Sequence, residues 1–93
     1  MNKEELKLEV NRTIDAIADK IKKMKSEEKE IDDELKSKYD ETIEKLLVMK
    51  GDLETKYKEF KGNTEHEWQE FSDSLSVVKD HFRAATRELQ TAF

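Results

Sequence analysis

The residues most suggestive of chemistry are His66-Glu67-Trp68-Gln69-Glu70, the stretch HEWQE, which departs from HExxH only in its last position. In HExxH two histidines one helical turn apart hold zinc, and the glutamate between them activates a water. Here Glu70 stands where the second histidine belongs. His66 and Glu70 still share a helix face. On a helical projection centred on Phe71 they fall at about −140° and −100°, away from the apolar stripe and toward solvent. A catalytic metal also needs a third ligand and a sheltered cavity. The other histidine, His81, lies about 22 Å further along the same helix, so only a site shared between chains would bring the two together. Neither histidine has a glutamate three residues before it, so the Glu-x-x-His pair of di-iron bundles is missing as well. HEWQE therefore reads as a solvated first turn of a helix.

Other chemistries lack their parts. Ser72, Ser74 and Ser76 fall in a helical run with no glycine elbow and no adjacent base. Gly51 and Gly62 are the only glycines, too few for a phosphate-binding loop. Cysteine is absent, which removes thiolate ligands, thiol nucleophiles and disulfides. The carboxylates are interleaved with lysines, the ordinary pattern of a solvated helix face. The expectation is no catalytic residue, no metal and no cofactor.

The elements that would carry these residues are helices. Of the 93 residues, 34% are apolar and 44% charged, where roughly a quarter charged is usual. A helix that buries one apolar stripe demands less core material than a compact globule. Ala, Glu, Lys, Leu and Arg make up about half of the chain, a coiled-coil composition. Proline is absent, so nothing forbids helix along most of a single domain. The net charge of −5 opposes nucleic-acid binding, which needs a positive surface. No apolar run approaches the roughly 18 residues of a membrane span. The segment MNKEELKLEV lacks the apolar core of a signal peptide, which makes the cytoplasm the default location.

Ile14, Ile17, Ile21, Met24, Glu28, Ile31 and Leu35 keep the 3-4 spacing of a heptad seam. Steps of four through Tyr39 to Ile43 form a stutter. Leu46, Met49, Leu53, Tyr57 and Phe60 continue the stripe, with Gly51 inside it as a candidate bend. The clearest break is KGNTEHE. Lys56, Lys58 and Lys61 suit a helix C-terminus, and Gly62 suits the left-handed C′ position. Thr64 and Glu67 have capping-box spacing, with the Glu67 carboxylate expected to reach back to the Thr64 amide. Beyond this joint, Trp68, Phe71, Leu75, Val78, Phe82, Ala85, Leu89 and Phe93 fall within an arc about 100° wide. Lys79, Arg83 and Arg87 flank that arc and read as partners for an acidic neighbouring helix.

The charges mirror one another about Ser26. Lys20, Lys22, Lys23 and Lys25 precede it, and Glu27, Glu28, Asp32, Asp33 and Glu34 follow it. Reflection sets Ile21 against Ile31 and Ile17 against Leu35, so the two blocks would fix an antiparallel register. Two structures satisfy the mirror. In the preferred one, a long helix over about 3–61 and a second over about 64–92 form an elongated all-α hairpin or coiled coil jointed at Gly62-Asn63. That long helix would extend about 90 Å and would need a second chain to cover it. The alternative is a three-helix bundle with an extra turn near Ser26.

From Tyr39 to Phe93, the sequence resembles a widespread group of small bacterial coiled-coil proteins of unknown function. Tyr39, Leu46, Leu53, the Gly62 joint, Trp68, Phe71, Phe82 and Phe93 carry the resemblance. Val77 and Val78 stand where that group often has alanine and a second aromatic. The resemblance implies a helical, cytoplasmic, non-enzymatic protein and no particular activity. A looser similarity to exchangeable apolipoproteins rests on amphipathic helix alone. The function expected is a structural or interaction protein that self-associates as a homo-oligomer, with another helical protein as a second candidate partner. The interface would use Ile14, Ile17, Ile21, Met24, Ile31, Leu35, Trp68, Phe71, Leu75, Val78, Phe82 and Leu89. The alternative function is binding to a lipid surface through the amphipathic helices.

Overall fold

A computed structural model describes the backbone of residues 2–91 and the side chains of residues 2–87. Three helices carry the fold: α1 (Lys3–Glu27), α2 (Asp33–Glu59) and α3 (Glu65–Thr91), with a 3₁₀ turn at Glu28–Glu30 between the first two. The all-α class and the joint at Gly62-Asn63 are as expected from the sequence. The single helix over 3–61 is not formed. The chain reverses between Glu28 and Asp32, giving three helices as in the alternative but with Ser26 inside α1 and the turn a few residues later, and measures 50 × 18 × 17 Å.

Local chemistry explains each helix boundary. The Asn2 side chain accepts from the Glu5 amide at 2.8 Å, and Glu4 and Glu5 place negative charge at the positive end of α1. Asp32 does the same for α2, accepting from the Leu35 amide at 2.9 Å, with Asp33 and Glu34 in the first turn. The reversal wins because it lets α1 bury its stripe against α2 of the same chain. Asp32 supplies the N-cap that an uninterrupted helix would waste.

The α2–α3 joint differs in detail from the expected one. α2 ends at Glu59 with Phe60 as its C-cap, so Gly62 lies one position beyond C′. Gly62 does take the left-handed conformation, at φ 68°. The Glu67 amide donates to Thr64 Oγ1 at 3.1 Å, as a capping box requires. The Glu67 carboxylate, however, accepts from the Asn63 amide at 2.9 Å instead of that of Thr64. The chain leaving the glycine turns the Asn63 N–H toward the new helix.

Gly51 does not interrupt α2, which continues through it. The two glycines should therefore respond oppositely to alanine. A Cβ at Gly51 meets nothing within 4 Å, and Gly51→Ala should stabilise by about 0.5–1 kcal/mol. A Cβ at Gly62 would sit 3.3 Å from the Phe60 ring and from Trp68 Nε1. With the left-handed backbone added, Gly62→Ala should cost about 1–2 kcal/mol or more. Urea denaturation of the two variants checks both signs.

Two apolar clusters stack along the bundle. Near the α1–α2 reversal, Ile17, Ile21 and Met24 meet Tyr39, Ile43, Leu46 and Ala85. Near the α2–α3 joint, Leu6 and Val10 meet Leu53, Phe71 and Leu75. Each helix contributes to both clusters, so α1 and α3 run parallel and α2 runs against them.

Candidate functional site

The residues expected at an intermolecular interface lie mostly inside one chain. Ile17, Ile21, Met24, Phe71 and Leu75 are buried in the two clusters. Ile31, Leu35, Val78 and Phe82 are partly buried against the first, and Ile14 and Trp68 against the second. The Leu89 side chain lies outside the described residues. The expected interface list omitted Leu6, Val10, Thr13, Tyr39, Thr42, Ile43, Leu46, Leu53 and Ala85, all of which are buried. Leu6, Val10, Thr13 and Ile17 follow one another at steps of four, three and four, a signal present in the sequence. Threonine obscures it: Thr13 Oγ1 donates to the Glu9 carbonyl at 2.8 Å, which satisfies the hydroxyl and leaves the methyl free to pack.

The charge blocks do not face each other. Glu27, Glu28 and Asp32 are consumed by the reversal, and Asp33 and Glu34 open α2. Among the described residues, no ion pair joins Lys20, Lys22, Lys23 or Lys25 to that acidic stretch. Asp33 pairs instead with Lys36 at 3.8 Å. Register is therefore held by apolar packing and by the turn. A reversal needs several residues of its own, and those residues are the acidic ones.

Burial leaves its mark on two acids here. Tyr39 is only 2% exposed, and its hydroxyl donates to Glu27 Oε2 at 3.0 Å. Burial, then that hydrogen bond, then the Glu27 charge push the Tyr39 phenol up to about 12. Glu28 Oε1 is cut off from solvent without a hydrogen-bond partner. The Asp40 carboxyl beside it, with which a protonated Glu28 can share its proton, then burial and the Asp40 charge raise Glu28 above the usual carboxylate range, against Lys36 and Lys25.

The Tyr39 shift has a sign that can be tested. The folded state holds the phenolic proton more tightly than the unfolded chain, whose ordinary value is 10.0. That contribution is complete below pH 10 and is lost as pH rises toward about 12. Wild type should lose on the order of 2 kcal/mol more than Tyr39→Phe across that window. Paired urea titrations at several alkaline pH values measure the difference.

His66 and Glu70 do contact each other, with Nε2 and Oε1 3.1 Å apart and side chains 81% and 69% exposed. Among the described residues, no group of three metal-binding side chains occurs. Of the basic flank of α3, Lys79 reaches α1 and pairs with Glu9, whereas Arg83 lies 4.0 Å from Asp80 of its own helix. Among the described residues, no helix is long and apolar enough to cross a membrane.

A groove runs between α1 and α3. Both helices pack mainly on α2 and touch each other less. Leu8, Thr13, Ala16 and Phe82 line the groove. Glu5 stands toward one end of its rim and Arg12 and Arg83 toward the other, with the Glu9–Lys79 pair between them. Comparison of the chain with family models, curated proteins and solved structures finds no match.

Proposed function

We propose that this protein is a non-enzymatic structural or interaction module that works by helix association, chiefly with further copies of itself. The observation that carries the reading is the apolar surface one chain leaves uncovered. Leu8, Leu47, Val48 and Val77 are 56%, 49%, 58% and 50% exposed and are spread over all three helices. They accompany the open α1–α3 groove with Phe82 in its lining. With Glu9 and Lys79 paired, Glu5 toward one end of that groove and Arg12 and Arg83 toward the other remain to meet unlike charges of an antiparallel second copy. The resemblance to small coiled-coil proteins points the same way.

A lipid-surface role would require Phe71 and Leu75 to leave the core in which they lie. The mass of the protein by light scattering should rise above that of one chain across a dilution series. A single-chain mass at every concentration would reject the reading. Trp68 fluorescence should not respond to neutral or anionic vesicles; a blue shift with either would favour the lipid alternative.

A further inference from the structure

The reversal between α1 and α2 needs few backbone changes to be undone. Glu27 (φ −74°, ψ −23°) and Glu28 (φ −55°, ψ −26°) are already helical. The Glu28 amide still donates to the Met24 carbonyl, continuing the α1 ladder. Only Ile31 (φ −113°, ψ 160°) and Asp32 (φ −74°, ψ 167°) bound the turn in extended geometry. The sole residue with positive φ among those described is Gly62, so this reversal holds no left-handed residue. It also contains no glycine or proline. The α2–α3 joint is the opposite case, with its left-handed glycine, capping box and indole bond from Trp68 Nε1 to the Gly62 carbonyl.

The seam is continuous across the same turn. Ile17, Ile21, Met24, Glu28, Ile31 and Leu35 keep one 3-4 phase. Returning Ile31 and Asp32 to helical angles would join α1 and α2 into one helix over 3–59, about 85 Å long. Two chains opened in this way can cross antiparallel near Ile31. Ile17, Ile21 and Met24 of each would then pack on Tyr39, Ile43 and Leu46 of the other, reproducing the contacts of the closed chain.

We propose that the chain self-associates by exchanging α1, with Ile31-Asp32 as the hinge and a second copy as the partner. The proposal rests on the self-association reading above and specifies its mechanism. Proline at position 33 separates the two. Asp33 is the first residue of α2, a favoured place for proline, and Asp32 before it is extended, as a residue preceding proline prefers. The closed hairpin therefore tolerates Asp33→Pro and keeps the Asp32 cap. The continuous helix does not, because proline lacks the N–H and clashes with the preceding turn.

The full-length wild type, Asp33→Pro and Asp32→Ala are warmed, cooled slowly and measured by light scattering across a dilution series. Asp33→Pro should raise the dimer dissociation constant roughly 1,000-fold or more. Its helical circular dichroism should match the wild type. Asp32→Ala removes the cap and favours continuous helix, and should tighten the dimer about tenfold. A dimer unchanged by Asp33→Pro overturns the exchange and leaves self-association standing, with the α1–α3 groove as its seat. A wild type that is monomeric throughout removes both. Should Asp33→Pro lose helix content, Asp32→Ala decides alone, and equal or weaker association there overturns the exchange.

Discussion

Leu46→Ala should destabilise the protein by about 2–5 kcal/mol, while the adjacent Leu47→Ala should stay within about 0.5 kcal/mol of wild type. Leu46 is fully buried, sits in the middle of α2 and packs in the cluster to which all three helices contribute. Truncation removes transfer free energy and leaves a cavity that packed helices fill only partly by collapsing. Leu47 is 49% exposed, and alanine is the better helix former. A domain of this size is held together by only about 5–15 kcal/mol. The Leu46 variant should thus melt at least about 10 °C lower. Thermal melts at low concentration, where association does not contribute, measure both. Equal effects at the two positions would mean that the face α2 buries has been assigned wrongly.

Trp68→Ala should cost about 2–4 kcal/mol, the discount from a full core tryptophan reflecting its partial exposure. Its ring meets Phe60 edge-on at a centroid distance of 5.0 Å, and its Nε1 donates to the Gly62 carbonyl at 3.1 Å. Phe60 in turn lies 4.8 Å from Phe71, so the indole links the joint to the buried stripe of α3. Trp68→Phe keeps an aromatic ring there and loses the donor together with part of the ring area. It should cost about 1–2 kcal/mol, the net value of one hydrogen bond plus a small packing loss. Denaturant titration followed by far-ultraviolet circular dichroism compares the variants. A phenylalanine variant as unstable as the alanine one would make the bond to Gly62 the dominant contact, in place of the ring.

The joint between α2 and α3 was readable because its signals are local. Lysines before Gly62, a residue that accepts positive φ, and Thr64 three places before Glu67 act over a few residues of chain. Their detailed geometry was less readable. Which amide the Glu67 carboxylate takes depends on how the chain leaves the glycine. The apolar stripe of α3 was legible for the same local reason, since periodicity on one helix needs no partner to be seen. On α1 the seam was read through Ile14, while the buried face continues through Thr13, Val10 and Leu6. A threonine whose hydroxyl bonds its own helix packs as an apolar residue, and its sequence letter does not show that.

The amino-acid sequence by itself determined the helical class, the apolar stripe of α3 and its Thr64 cap, because each follows from backbone preference and spacing within one segment. Only the tertiary structure decided where α1 ends and α2 begins. An unbroken seam through Glu28, Ile31 and Leu35 suits a single long helix, and a capped reversal at Asp32 suits a hairpin equally well. Local preference leaves these close together. The balance is set by whether Tyr39, Ile43 and Leu46 are covered by α1 of the same chain, a contact between residues far apart in sequence. It also decided that the charge blocks flank and form a turn instead of facing each other. Apolar burial acts over the whole length of a helix pair, whereas solvent-exposed charges pair weakly and yield to the register that burial imposes.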